Sequence, residues 1–151
     1  MTQNCVILLV EDNADDEELT RLAFEESNIA NRLVIVRDGA EALDYVFATG
    51  SWADRSPEDD PCLVLLDLKL PKIGGLEVLR RLREDERTRH LPVIILTSSV
   101  EEQDLITGYD LGCNSYIHKP VDFLQFNEAV RQLSLYWLVL NRPPLQARRN
   151  G

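Results

Sequence analysis

Residues 62–71 read CLVLLDLKLP: five apolar side chains in succession, then an aspartate, then a loop marked by Pro71. An unbroken apolar run that stops abruptly at a charge suits a strand covered on both faces. Four more short runs lie around it, at residues 5–10, 33–36, 93–96 and 115–117. All but the last are nearly unbroken rather than alternating. Segments with helical spacing separate them. Leu19, Leu22 and Ala23 share one face of the first, Ala42, Leu43, Val46 and Phe47 of the second, and Leu76, Leu79 and Leu82 of the third. Asp38 precedes Glu41 by three, and Ser99 precedes Glu102 by three, the spacing of a capping box. Strand then helix, five times over, predicts an α/β, doubly wound, five-stranded parallel sheet with helices on both faces.

Two segments depart from this rhythm. Residues 49–61, TGSWADRSPEDDP, are rich in turn formers and acids and read as a surface loop inserted before the third strand. The last helix carries Phe123, Phe126, Val130, Leu133, Trp137 and Leu140 in one stripe, until Pro143 and Pro144 stop it. Its end, LSLYWLVL at residues 133–140, is apolar almost all round. Either it is an ordinary buried terminal helix, or part of it meets another chain. The second account predicts a homodimer through the C-terminal helix region, two-fold pairs being the commonest oligomers. The expected division is one domain over residues 1–140 and a frayed tail over 141–151.

Length and charge narrow the function. The chain has 151 residues, 44% of them apolar and 28% charged, proportions close to globular averages and suited to one core. With 26 acidic against 16 basic side chains the net charge is −10, which a phosphate backbone would repel, so no nucleic-acid partner is expected. No apolar run reaches the ~20 residues of a membrane helix, and the N-terminus has no secretory pattern, so the expectation is a cytoplasmic protein with no membrane partner. Three cysteines without C-x-x-C spacing argue against zinc and against a disulfide framework. Cys5 and Cys62, opening apolar runs, read as free core residues; Cys113 is left open.

Ligands of open parallel sheets bind beyond the carboxyl ends of the strands. Glu11 and Asp12 follow the first strand and Asp67 the third. Thr97 and Ser98 follow the fourth, and His118, Lys119 and Pro120 the fifth. Carboxylates so gathered would repel unless one held a proton or a hard divalent cation sat among them; oxygen-rich sites of this kind suit magnesium. A carboxylate with a free oxygen beside such a cation can attack phosphorus and become an aspartyl phosphate. Lys119 could pair with the new phosphoryl group and Thr97 hydrogen-bond it. Any one acid could simply begin a helix, which is worth ~0.3–1 kcal/mol, but that explains the joint pattern poorly. The acidic run at residues 15–18 reads as the solvated first turn of a helix.

VEDN at residues 10–13, LVLLDLKLP at 63–71, VIILTSS at 93–99 and YIHKP at 116–120 together resemble the receiver domain of two-component response regulators. The resemblance covers residues 4–140 and implies a flavodoxin-like (CheY-like) fold with strand order 2-1-3-4-5. It implies that Asp67 is the phosphoacceptor, and that Glu11, Asp12, Asp67 and the backbone carbonyl of Lys69 hold Mg2+. Thr97 would be the switch hydroxyl, Tyr116 the aromatic switch, and Lys119 the neutralising cation, with a cis Lys119–Pro120 bond. Such a protein is a stoichiometric phosphoacceptor that catalyses its own phosphorylation and slow dephosphorylation, not a turnover enzyme. Two features depart from the commonest pattern: Gly74 stands where many receivers carry aspartate, which weakens a helix cap, and the 49–61 insertion lengthens the first half. That insertion and LYWLVLNRPP at 135–144 resemble the small stand-alone receivers served by cyanobacterial-type phytochrome histidine kinases. Output would then come from a partner surface or from onward transfer.

Two other functions compete. Phosphatases of the haloacid-dehalogenase type also use a strand-end aspartate and magnesium, but need an acid two residues later, where this chain has Lys69. A receiver-like binding module that is never phosphorylated usually lacks part of the acidic cluster or the lysine, and here both are complete. Neither G-x-G-x-x-G after the first strand nor G-x-x-x-x-G-K is present, against nucleotide binding. His118 reads as an exposed strand-end side chain and His90 as a loop residue.

Overall fold

The apolar runs do become the sheet. The structure is a computed structural model that describes residues 5–26, 31–98, 101–122, 124–129 and 131–132. Its elements run β1 (Val6–Val10), α1 (Ala14–Glu26), β2 (Arg32–Val36), α2 (Gly39–Phe47), β3 (Pro61–Asp67), α3 (Gly75–Glu84), β4 (Val93–Thr97), α4 (Glu102–Asp110) and β5 (Ser115–His118). Residues 124–129 are again helical. All four strand pairings are parallel and the order is β2-β1-β3-β4-β5, as the sequence implied.

Side chains alternate across a strand, so each central strand feeds two cores. Leu8, Val10, Val64, Leu66, Val93 and Ile95 meet α2 and α3 on one face. Ile7, Leu9, Leu63, Leu65, Ile94 and Leu96 meet Ala23 and Phe24 of α1 and Phe126 of the last helix on the other. Leucines and isoleucines buried this completely contribute roughly 1.5–3 kcal/mol each. β2 differs from expectation: as an edge strand it keeps only Val36 fully buried. In α1 the buried face is Glu17, Thr20, Ala23 and Phe24, while Leu19 and Leu22 are exposed. Phe24 lies against Phe126, centroids 6.3 Å apart, and that contact turns the helix away from the predicted leucine face.

Helix ends follow local chemistry in part. Asp38 Oδ1 accepts the Glu41 N–H at 2.7 Å, and Glu41 Oε1 accepts the Arg37 N–H at 3.0 Å, a capping box displaced by one residue. The second expected box, Ser99 with Glu102, lies outside the described residues; Glu101 occupies the cap position of α4. The 49–61 insertion is ordered by two short 3₁₀ turns, Gly50–Trp52 and Pro57–Asp59. Arg55 donates to the carbonyls of Tyr45 and Val46 at 2.6 and 3.0 Å, adding donors at the end of α2, where the Tyr45 carbonyl also accepts the Ala48 N–H at 3.3 Å. Trp52 packs edge-on against Tyr45 at 4.8 Å. The insertion is thus a clamp on α2.

The cysteine expectation is corrected. Cys5 and Cys62 form a disulfide, with Cα atoms 5.6 Å apart. The cause is register: Val6 pairs with Pro61 on the adjacent strand, and the irregularity between Val6 and Ile7 brings the neighbouring cysteines together. Cysteine spacing along the chain carries no information about that neighbourhood. Cys113 remains a free, buried thiol that burial pushes up to about 11, and so little of it is thiolate.

Of the stripe on the last helix, Phe126 is fully buried; Phe123, Val130, Leu133, Trp137 and Leu140, with the tail, lie outside the described residues. One close approach fixes the loop after β3. A Cβ on Gly75 would stand 2.2 Å from the Asp67 carbonyl oxygen, whereas one on Gly74 would meet nothing nearer than 3.8 Å. Gly75→Ala is therefore expected to lose about 1–3 kcal/mol in urea unfolding. Gly74→Asp should be neutral or gain a few tenths, because the cap at Gly74 lacks a side-chain acceptor. Equal unfolding midpoints for Gly75→Ala and the parent would contradict the close packing.

Candidate functional site

The carboxyl ends of β1, β3, β4 and β5 open on one edge of the sheet. Glu11 follows β1 and continues its pairing, its N–H donating to the Val36 carbonyl at 3.0 Å. That backbone anchor draws the Glu11 side chain fully into the protein, while Asp12, the next residue, is exposed. Asp67 ends β3 and is buried. Each of these three acids offers one oxygen, and those oxygens lie within 4.8 Å of one another.

Lys119 answers them. Its residue is 8% exposed, and Nζ stands 2.7 Å from Glu11 Oε1, 2.8 Å from Asp16 Oδ2 and 3.3 Å from Asp67 Oδ2. The lysine is delivered by β5, whose end is locked to β4 through the Lys119 N–H and the Thr97 carbonyl at 2.7 Å. The Lys119–Pro120 bond is cis, as the resemblance implied. Burial works against the ammonium, but the hydrogen bonds it donates to Asp16 and Glu11 outweigh it and hold Lys119 above its ordinary range.

One ammonium cannot satisfy every acid. Burial, with Asp67 adding its repulsion, raises Glu11 to about 7 even though the Lys119 hydrogen bond pulls the other way. A hard divalent cation would relieve this strain. The donor set, carboxylate oxygens with one acid open to solvent, fits a small oxygen-preferring cation that keeps several waters.

The remaining expected residues fall around this centre. Thr97 is fully buried at the end of β4, one position beyond Leu96, the register partner of Asp67. Lys69 is exposed, and its N–H reaches Asp67 Oδ1 at 3.4 Å. Tyr116 lies further back on β5, half-buried, its ring 6.3 Å from that of Tyr109. Its hydroxyl is shielded from solvent and has no hydrogen-bond partner among the described residues. Ser98 and His118 are exposed.

The sequence reading missed Asp16. The 15–18 run was expected to be solvated, yet Asp16 reaches Lys119 and Glu17 is buried between Arg21 and Arg37. The arginine hydrogen bonds, Arg37 first, hold the Glu17 carboxyl below its usual range. The available signal was period: Asp16, Thr20 and Ala23 share a face, and Thr20 and Ala23 are core.

Glu11 predicts a pH dependence. Its folded value is raised, so across about pH 4.5 to 7 the folded chain keeps a proton that the unfolded chain has lost. This group's contribution to stability therefore falls as pH rises through that window. In EDTA the melting temperature should decline across it, and Glu11→Gln or saturating Mg2+ should flatten the decline. A parent profile as flat as that of Glu11→Gln would contradict the assignment.

Comparison with known proteins agrees with this geometry. Residues 7–131 match the family described as the response regulator receiver domain. The chain is 48% identical to the bacteriophytochrome response regulator RtBRR, with TM-score 0.80 over 96% of this chain and 89% of that one. It is 53% identical to the bacteriophytochrome response regulator AtBRR, with TM-score 0.77 over 91% and 97%. Response regulator Rcp1 of Synechocystis is 37% identical over 88% of each chain. The crystal structure of the Mn(2+)-bound form of Rcp1 superposes with TM-score 0.72 at 36% identity, over 89% of this chain and 95% of that one.

Proposed function

The chain belongs to the response regulator receiver family, and from that premise we propose that it is a stand-alone phosphoacceptor switch in which a sensor histidine kinase donates a phosphoryl group to Asp67. The observation that carries this reading is the convergence of Glu11, Asp12, Asp67 and Lys119 at one strand-end edge.

In this reading an Asp67 carboxylate oxygen attacks the phosphorus of a phosphohistidine. The P–N bond breaks as the new P–O bond forms, and the imidazole leaves with the electron pair. Glu11, Asp12, Asp67 and the Lys69 carbonyl would hold Mg2+, whose charge would screen the acids from the incoming phosphoryl oxygens. The Mn(2+)-bound form of Rcp1 supports a divalent cation. Lys119, already within 3.3 Å of Asp67 Oδ2, pairs with the charge that arrives. Thr97 supplies a hydroxyl from the end of β4, and Tyr116 responds on β5. Transfer is stoichiometric: phosphorylated Asp67 is an acyl phosphate that returns to the carboxylate by slow, self-catalysed hydrolysis.

The relatives named for bacteriophytochromes support a phytochrome-type kinase as donor. The receiver would occupy residues 1–140 in the cytoplasm, and a homodimer would form through the C-terminal helix region. Among the described residues no helix is long and apolar enough to cross a membrane. The phosphatase alternative finds an exposed lysine, Lys69, where a general acid is required.

Intact-mass spectrometry after incubation with acetyl phosphate tests the assignment. The parent should gain one phosphoryl group only with Mg2+ present, and Asp67→Asn should gain none while keeping its fold. Phosphate incorporation by Asp67→Asn at the parent's rate would place the nucleophile elsewhere.

A further inference from the structure

Lys119 touches three carboxylates, and they are not equivalent. Glu11 and Asp67 also belong to the three-acid oxygen cluster; Asp16 does not. A cation held by that cluster draws on the same Glu11 and Asp67 carboxylates that the ammonium uses, and its charge repels the ammonium besides. Of the three, Asp16 is then the carboxylate left to Lys119.

The backbone prepares Asp16 for this. It sits in the first turn of α1, where its N–H donates to Asn13 Oδ1 at 2.9 Å, a helix cap. The Asn13 N–H in turn points to Glu11 Oε2 at 3.3 Å. Glu11, Asn13, Asp16 and Lys119 therefore close a ring of contacts, completed by the two ion pairs of Nζ at 2.7 and 2.8 Å. The Asp16 side chain is 33% exposed against 7% for Lys119, so it holds the ammonium from the solvent side of the site.

We propose that Asp16 is the positioning residue of Lys119: it holds the ammonium beside the acidic cluster, out of competition with the divalent cation and within reach of a phosphoryl group on Asp67. The proposal rests on the reading of this edge as a receiver site. Without Asp16 the lysine falls back on Glu11 and Asp67 and competes with the cation for them. Cation binding should weaken for that reason, and only while Lys119 is present.

Manganese binding measures this directly, with free Mn2+ counted by electron paramagnetic resonance. The proteins are the parent, Asp16→Asn, Lys119→Ala, the double variant and Asp67→Asn, with circular dichroism to verify folding. Asp16→Asn should raise the Kd about threefold or more, and the same change in the Lys119→Ala background should have a clearly smaller effect. An unchanged Kd in Asp16→Asn, or an equal or larger factor without the lysine, overturns the proposal; the latter would mean that Asp16 acts only by its charge. Asp67→Asn separates the two levels of the account. If it binds Mn2+ as tightly as the parent, the site reading itself fails, and the role of Asp16 with it.

Discussion

The ammonium of Lys119 holds together a group of acids that could not otherwise share one edge of the sheet. Glu11 and Asp67 are buried at the ends of β1 and β3, and Asp16 leans in from α1. Removing one partner from a buried charged network leaves the others uncompensated, at a cost of several kcal/mol. The acids of the cluster still outnumber its one ammonium, and this is visible in Glu11, which burial, with the repulsion of Asp67, raises to about 7. A site held in that condition is ready for a divalent cation, and afterwards for an anion that Lys119 can meet.

The fold supplies the placement. Parallel pairing brings the carboxyl ends of β1, β3, β4 and β5 to the same edge, and the two apolar layers hold those strands in register. Gly75 lets α3 begin against the Asp67 backbone, and Asn13 caps α1 so that Asp16 faces Lys119. Packing and chemistry thus meet at the strand termini, where each core strand changes from apolar side chains to acids or a hydroxyl within one residue.

Much of this was legible in the sequence because strand-end chemistry is local. Runs such as VILLV before Glu11 and LVLL before Asp67 state both the strand and the position of the acid. What escaped the sequence depends on tertiary neighbourhood. Cys5 and Cys62 pair because β1 and β3 are adjacent, and 57 residues of separation conceal that. Leu19 and Leu22 were expected inside, but the Phe24–Phe126 contact chose the neighbouring face of α1. Asp16 looked like one of four solvated acids; its period with Thr20 and Ala23 hints at the inner face, but its partner Lys119, just beyond β5, stands more than a hundred residues later.

If one ammonium makes this acidic edge tolerable, its removal must be felt before any phosphate arrives. The direct measurement is the thermal stability of Lys119→Met, an apolar side chain of similar length, with EDTA and with saturating Mg2+ at a pH above about 7, where Glu11 is ionised. The account predicts a lower melting temperature than the parent in EDTA and a larger gain from Mg2+. A variant as stable as the parent in EDTA, with no greater response to Mg2+, would contradict it.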